Sequence, residues 1–351
     1  WLLLRQSVAA LPDFFVSGLQ LAAGYAPAMG SAPTSVIAAL GAATLGALAV
    51  LLVAGLSPGS SRRERWPGAV VVAAGCFLVW KEGFVRPDPG PGMSHVVVFV
   101  VFAFLMAGGL PGLLQLAPTE QRRWLPLSAT ALVLAGALAW PFGEHWRATV
   151  CGLPARLDDT CTVIAAPKSF RARLAQELQS RAEAVQLPHL QQIVGRASIG
   201  SMLWDQDVVL LNGLNFRPHP VFQSYSAYTP GLQARNATFF ASTQAPDFLI
   251  WRQGRMTIEG RFPTLDEGQA LLELLAAYAP IAVENRFALW RRQPESTASY
   301  TVRPQQEITV SLDEWFRLPP GPLWMQLEIA ETWGGRLAGF LVRPAPALLE
   351  V

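Results

Sequence analysis

The sequence is poor in the residues that metal and nucleophile chemistry use. Its four histidines, His95, His145, His189 and His219, are scattered, with no metal-ligand spacing to one another or to the three cysteines, which sets aside a zinc site. No Gly-rich phosphate loop follows a predicted strand: Gly108-Gly109 lies inside an apolar run, and Gly334-Gly335 reads as a turn between strands. There is no Gly-x-Ser-x-Gly elbow. Gly200-Ser201 with Asp205 and Asp207 reads as a helix cap and a solvated face rather than a nucleophile with acids, and Asp158-Asp159 as turn chemistry rather than a divalent-ion site. Charge is also scarce. Only 15% of residues are charged and the net charge is +2, too small to argue for nucleic acid. Lysine is confined to Lys81 and Lys168, which, beside abundant Ala, Leu, Pro and Gly, suggests a GC-rich bacterial genome. The chain opens on Trp1-Leu-Leu-Leu-Arg5 without an initiator Met or a signal-peptide layout, so it reads as the tail of an earlier span and the chain as a C-terminal fragment.

Long apolar runs are what the sequence has in excess. Segments 34–56, 67–85, 94–116 and 124–142 are each close to the roughly 20 residues that a helix needs to cross a bilayer, giving about four transmembrane helices. Lys81 and Glu82 make the second the weakest. Arginine is in excess between the first and second runs (Arg62, Arg63, Arg65) and between the third and fourth (Arg122, Arg123). These connections are therefore expected inside, with everything after Phe142 outside. Cys151 and Cys161 are close enough in sequence for a small disulfide loop in an oxidising compartment, the alternative being two unpaired thiols, while Cys76 reads as a small apolar residue within a span. Before the first run, segment 11–29 is apolar but broken by Pro and Gly. It reads as a short helix in the outer interface, with Phe14, Phe15, Leu19 and Leu21 on one face. Its one acid, Asp13, is a weak catalytic candidate that helix-dipole chemistry also explains.

Four domains are expected: an interfacial segment 1–33, the membrane helices 34–142, an extracytoplasmic α/β domain 143–295 and a small antiparallel β module 296–351, which could be incomplete. In the α/β domain, helices are predicted at 168–185 (Ser169 as N-cap and an apolar stripe of Phe170, Leu174, Leu178 and Val185), at 202–214, at 229–240 behind a Thr229-Pro230 cap, and from Thr264. There Thr264 and Glu267 have capping-box spacing, followed by a stripe of Leu271, Leu274, Leu275 and Tyr278. Strands are predicted at 221–222, 247–251 and 281–290, and β-module strands at 307–312, 323–329 and 337–342.

Segment 212–236 is the densest in recognition side chains, with Arg217, His219, Gln223, Ser224, Tyr225, Ser226, Tyr228 and Asn236 placed just beyond a predicted strand. Amides, hydroxyls and aromatic rings suit a sugar or another polyhydroxyl ligand at the C-terminal edge of a parallel sheet. The same residues also suit a well-ordered loop whose polar groups satisfy its own backbone. Asn236-Ala-Thr238 is formally a glycosylation sequon, but on a predicted helix.

Several spans, an outer amphipathic segment and a mixed C-terminal outer domain together resemble the layout of the multi-pass membrane glycosyltransferases of the C superfamily. Arg217-Pro-His-Pro-Val-Phe-Gln-Ser-Tyr-Ser-Ala-Tyr228 resembles a block found in uncharacterised bacterial membrane proteins. The resemblance implies a bacterial inner-membrane transferase with a periplasmic domain. It would use a polyprenyl-phosphate sugar donor, with a divalent metal; the residues read from segment 212–236, Arg217, Gln223, Ser224, Tyr225, Tyr228 and Asn236, would then be the ones to bind glycan or acceptor. In that superfamily the catalytic acid lies in the first outer loop, so no catalytic residue is carried over. The alternative is a non-enzymatic envelope protein whose outer domain binds a glycan or protein partner; transport is weaker, because the spans hold few ionisable residues at mid-depth.

Overall fold

The structure is a computed structural model that describes residues 7–30, 35–55, 62–85, 95–113, 118–202, 204–254, 263–293, 306–311, 314–321 and 323–341. In chain order its helices and strands are α1 (Leu11–Met29), α2 (Ser35–Gly55), α3 (Arg62–Val85), α4 (His95–Leu113), α5 (Pro118–Ala139), α6 (Gly143–Ala165), α7 (Pro167–Ala184), α8 (Pro188–Val194), β1 (Ser198–Ser201), α9 (Gln206–Leu211), β2 (Asn215–Phe216), α10 (Pro230–Ala241), β3 (Phe248–Arg252), α11 (Pro263–Ala277), β4 (Tyr278–Glu284), β5 (Phe287–Arg292) and α12 (Trp333–Leu341). They form two compact units, one within Trp1–Gly24 and Arg173–Glu331, the other within Tyr25–Ala172 and Thr332–Val351.

The second unit is helical. Among the described residues, three of its helices hold stretches long and apolar enough to cross a membrane, Ser35–Ala54, Trp66–Val85 and Trp124–Phe142, and α4 carries a shorter apolar helix, His95–Gly109. These helices pack on one another through two clusters. In one, Ala103, Ala107, Ala131 and Ala135 let the helices approach closely around Leu48, Leu51 and Val72. In the other, Trp80 stacks on Phe84 at 4.0 Å and Phe84 meets Phe99 edge-on at 5.5 Å. Their outer surface is apolar too, with Val36, Val53, Val71, Leu78, Leu105 and Val133 exposed, as a helix bordered by lipid rather than water requires. The arginines read as loop charges lie within helices, in the first turn of α3 and the second turn of α5. Polar groups are answered internally: buried Thr44 donates to the Leu40 carbonyl at 2.8 Å, and Lys81 donates to the Gly339 and Phe340 carbonyls at the end of α12.

Several sequence expectations fail here. Cys151 and Cys161 are free, exposed thiols on the single helix α6. Ten positions along a helix amount to about 15 Å, far beyond disulfide reach, so the predicted bridge is not formed. The β module is not seen either. Residues 306–311 and 323–332 have no strand pairing among the described residues, and 333–341 is the helix α12; Leu312 and Val342 lie outside the described residues. Helix α7 starts at Pro167, so Ser169 is within it, donating to the Ala166 carbonyl, and the predicted core stripe on α7 is not buried.

The first unit is an α/β layer structure. Its sheet order is β2-β1-β3-β5-β4, with β1 parallel to β2 and β3, and β5 antiparallel to both β3 and β4. Alternation along β3 sends Phe248 and Ile250 to one face, where α8 and α9 supply Leu190, Val194, Val208 and Val209. Leu249 goes to the other, where Phe240 of α10 and Ala270, Leu271 and Leu274 of α11 cover it. Gly200 of β1 is required on that second face, because a Cβ there would stand 2.9 Å from Leu249 Cδ2. The run read as one strand, 281–290, is instead the hairpin β4–β5, turned by Asn285 and Arg286, both at positive φ. That is the backbone a two-residue primed turn needs. Strand β2 has only two residues, and β4 is interrupted by Pro280 and a register shift before Ala282.

Two expected outcomes follow from this packing. A Cβ at Gly41 would overlap the Phe84 ring. Gly41→Ala should therefore destabilise the helical unit by about 1–3 kcal/mol in detergent melts, and Phe84→Leu should recover much of the loss in the double variant. Cys151 and Cys161 should both label with a maleimide without prior reduction, and intact mass should be the same before and after reductant; a 2-Da difference would restore the bridge.

Candidate functional site

The segment 212–236 sits where the parallel strands end. Residue 217 follows β2 directly, its amide donating to the Ile199 carbonyl of β1 at 2.9 Å. Beyond β1, buried Asp205 pairs with Arg252 at the end of β3 at 2.7 Å, and the Arg252 guanidinium lies over the Phe287 ring. The chain leaves β1 for β2 on one side and crosses back to β3 on the other. This is the switch point at which open α/β sheets form their crevice.

The structure divides the predicted ligand residues into two groups. His219, Ser224 and Asn236 are turned inward and buried, as is Asn212 at the start of the segment, which is not among the predicted ligand residues. Asn212 ends α9 and ties three backbone groups, accepting from Leu187 N and donating to the Val185 and Val208 carbonyls. Asn236, 0% exposed on α10, faces Val221 as a strand partner would: its Oδ1 accepts from Val221 N at 2.8 Å and its amide donates to the Val221 carbonyl at 3.2 Å. The same amide donates to Glu267 Oε1. A sequon asparagine in this position is closed to glycosylation. Arg217, Gln223, Tyr225 and Tyr228, by contrast, retain exposed surface; Arg217 donates to the Gln244 carbonyl at 3.1 Å.

Glu267 is the residue that sequence reading missed. The Thr264–Glu267 spacing signals a capping box, but Glu267 has non-helical dihedrals (φ −142°, ψ 49°) inside α11 and points inward, 1% exposed. Burial pushes its carboxyl up to about 7, against hydrogen bonds from Ser224 and Asn236 that pull it down. His219 Nε2 lies 3.9 Å away, and burial pushes that imidazole down to about 4, only partly offset by a hydrogen bond to the Val221 backbone. Between those values both groups are neutral. The pair is a desolvated polar contact, not a salt bridge.

The outcome of this clamping is an exposed ring. With Val221 held by Asn236, and the Phe222 carbonyl accepting from Gln206 Nε2 of α9, the Phe222 side chain is turned out, 51% exposed, next to Gln223. Sequence reading took 221–222 as a strand and so overlooked this ring; an apolar residue in a segment rich in Pro and polar groups was the available signal. Helix α1 closes the other side of the loop. A Cβ on Gly24 would collide with Tyr228, Gln20 is 3.2 Å from the Thr229 hydroxyl, and Asp13 pairs with Arg235 at 3.2 Å. Thr229 caps α10 as predicted, accepting from Leu232 N. Among the described residues no group of three or more His, Cys, Asp or Glu side chains is placed to hold a metal ion. Comparisons with protein families, with curated proteins and with solved structures find no match.

The buried pair makes stability depend on pH in two opposed ways. Glu267 rises from 4.5 to about 7 on folding, so its contribution is full below pH 4.5 and is lost as pH rises through 7. His219 falls from 6.5 to about 4, so its contribution is full above pH 6.5 and is lost as pH falls through 4. The two slopes offset each other between 4.5 and 6.5. Glu267→Gln should remove one of them, so that chemical denaturation at pH 8 relative to pH 4.5 favours the variant over wild type by about 3 kcal/mol. Parallel pH profiles for the two proteins would refute the assignment.

Proposed function

We propose that the chain is a membrane-anchored protein whose α/β unit recognises a polyhydroxyl ligand, a glycan or the sugar of a polyprenyl-phosphate carrier, at the Phe222 surface. One observation carries the reading: an exposed aromatic ring on backbone fixed by side chains from α9 and α10. The C–H face of a sugar ring packs on such a ring, and its chain neighbour Gln223 supplies a directional donor. Because the backbone is already ordered, little loop entropy is lost on binding. The arginines at the starts of α3 and α5 support a cytoplasmic location for those ends, and hence a bacterial inner membrane with the α/β unit on the periplasmic side.

A glycosyltransferase reading builds on the same surface, with sugar or acceptor held there and a carboxylate acting as base. Asp13 is the candidate within this chain. Its carboxylate pairs with Arg235 of α10 at 3.2 Å rather than with a residue of the Phe222 surface. Binding without transfer by this chain's own residues is therefore the leading form of the proposal.

The full chain in nanodiscs should bind a member of a panel of oligosaccharides and polyprenyl-phosphate hexoses, read by calorimetry. Phe222→Ala and Gln223→Ala should each weaken that binding roughly tenfold, about 1.4 kcal/mol, with melting unchanged. Variants that bind as wild type, or a panel with no binder, would sink the proposal; sugar transfer abolished by Asp13→Asn would replace it with the transferase reading.

A further inference from the structure

Helix α1 has two apolar sides with different neighbours. On one, Gln20, Leu21 and Gly24 pack against Thr229, Gly231, Tyr228 and the small cluster of Val221, Ala227 and Leu232, and Asp13 reaches Arg235. On the opposite side Pro12, Phe15, Val16, Leu19, Ala22 and Ala23 are all exposed. At 100° per residue those positions fall within a stripe of about 120°, the width of a buried helix face, and it holds no charged or hydrogen-bonding side chain. Phe15 and Leu19 are 63% and 70% exposed. Water is a poor neighbour for such a stripe.

Chain connectivity says which neighbour suits it. Residues 30–34 alone separate the end of α1 from α2, the helix that holds the first apolar stretch long enough to cross a membrane. Fully extended, that connection spans at most about 20 Å, so the end of α1 is tethered near the bilayer surface. At 19 residues α1 is itself long enough to enter the bilayer, but its Gln20 and Asp13 side is bound to a folded polar unit, which rules out crossing.

We propose that α1 lies flat in the surface of the bilayer, its 12–23 stripe at the boundary between headgroups and acyl chains. This rests on α2 spanning the membrane, not on what the Phe222 surface binds. Its consequence is that the 12–23 stripe is covered by lipid rather than by water.

The test uses the full chain in nanodiscs of phosphatidylethanolamine and phosphatidylglycerol, with the three native cysteines replaced and a nitroxide placed singly at Phe15, Leu19, Ala22, Thr238 or Val50. Power saturation should show positions 15, 19 and 22 open to oxygen and protected from a water-soluble nickel chelate, with Thr238 of α10 open to the chelate. The Val50 label on α2 reports separately whether that helix is in lipid. Chelate access at 15, 19 and 22 equal to that at Thr238, while Val50 stays protected, would overturn the proposal. So would dipolar broadening between labels at 15 or 19, which would show that a second copy covers the stripe.

Discussion

The α/β unit depends on one side-chain amide doing what a strand would do. Asn236 pairs with both backbone groups of Val221 and passes its remaining hydrogen to Glu267, so α10, the loop after β2 and the kinked start of α11 are fixed to one another through a single residue. The arrangement satisfies buried backbone that has no sheet partner, at the cost of burying a carboxyl that must then be held largely neutral. Glu267, with non-helical dihedrals at the start of α11, accepts from Asn236, and the pairing at Val221 fixes the backbone next to the outward-turned Phe222. The outward turn of Phe222 and the interior electrostatics are thus parts of one device.

The helical unit meets the same requirement differently. Its interior is built from alanines and aromatic rings that need no partners, and its few polar groups bond within the helices or to a helix end. Thr44 bonds one turn back along α2, His95 meets Glu82 at 2.7 Å, and Lys81 occupies the carbonyl end of α12, where a positive charge is favoured. Phe340 of α12 stacks on Phe77 of α3 at 5.3 Å, so α12 is joined to the span by a ring as well as by a charge.

Apolar length and the Thr229 cap were the legible parts of the fold, while the Ser169 cap and the Thr264–Glu267 capping box did not form. The runs now seen as α2, α3 and α5, the Thr229-Pro230 start of α10 and the core of β3 follow from local rules, hydropathy over 20 residues or a hydroxyl before a proline, that tertiary packing does not overrule. Short elements were not legible. Four-residue β1 and two-residue β2 carry too few side chains for a period, and the Asn285-Arg286 turn lacks the glycine that usually marks a primed hairpin. Segment 212–236 stood out by its composition, but composition does not say which way a side chain points. Ser224 and Asn236 serve the interior, and Glu267, 31 positions from Asn236, could be joined to them only by the fold. The Cys151–Cys161 expectation failed for a related reason: sequence separation is a distance only once the backbone is known, and a helix makes ten residues long.

The two edges of the sheet have a consequence for how copies of this chain coexist at high density. β2 offers a neighbour only two residues of free backbone, and β4 breaks its outer ladder with Pro280 and a register shift. Ile281 and Val283 on β4 would otherwise make an apolar edge on which a second sheet could grow. With both edges blunted, crowding in a membrane raises encounters between copies without offering them a backbone template, and fibrillar strand addition is disfavoured by the shape of the edges.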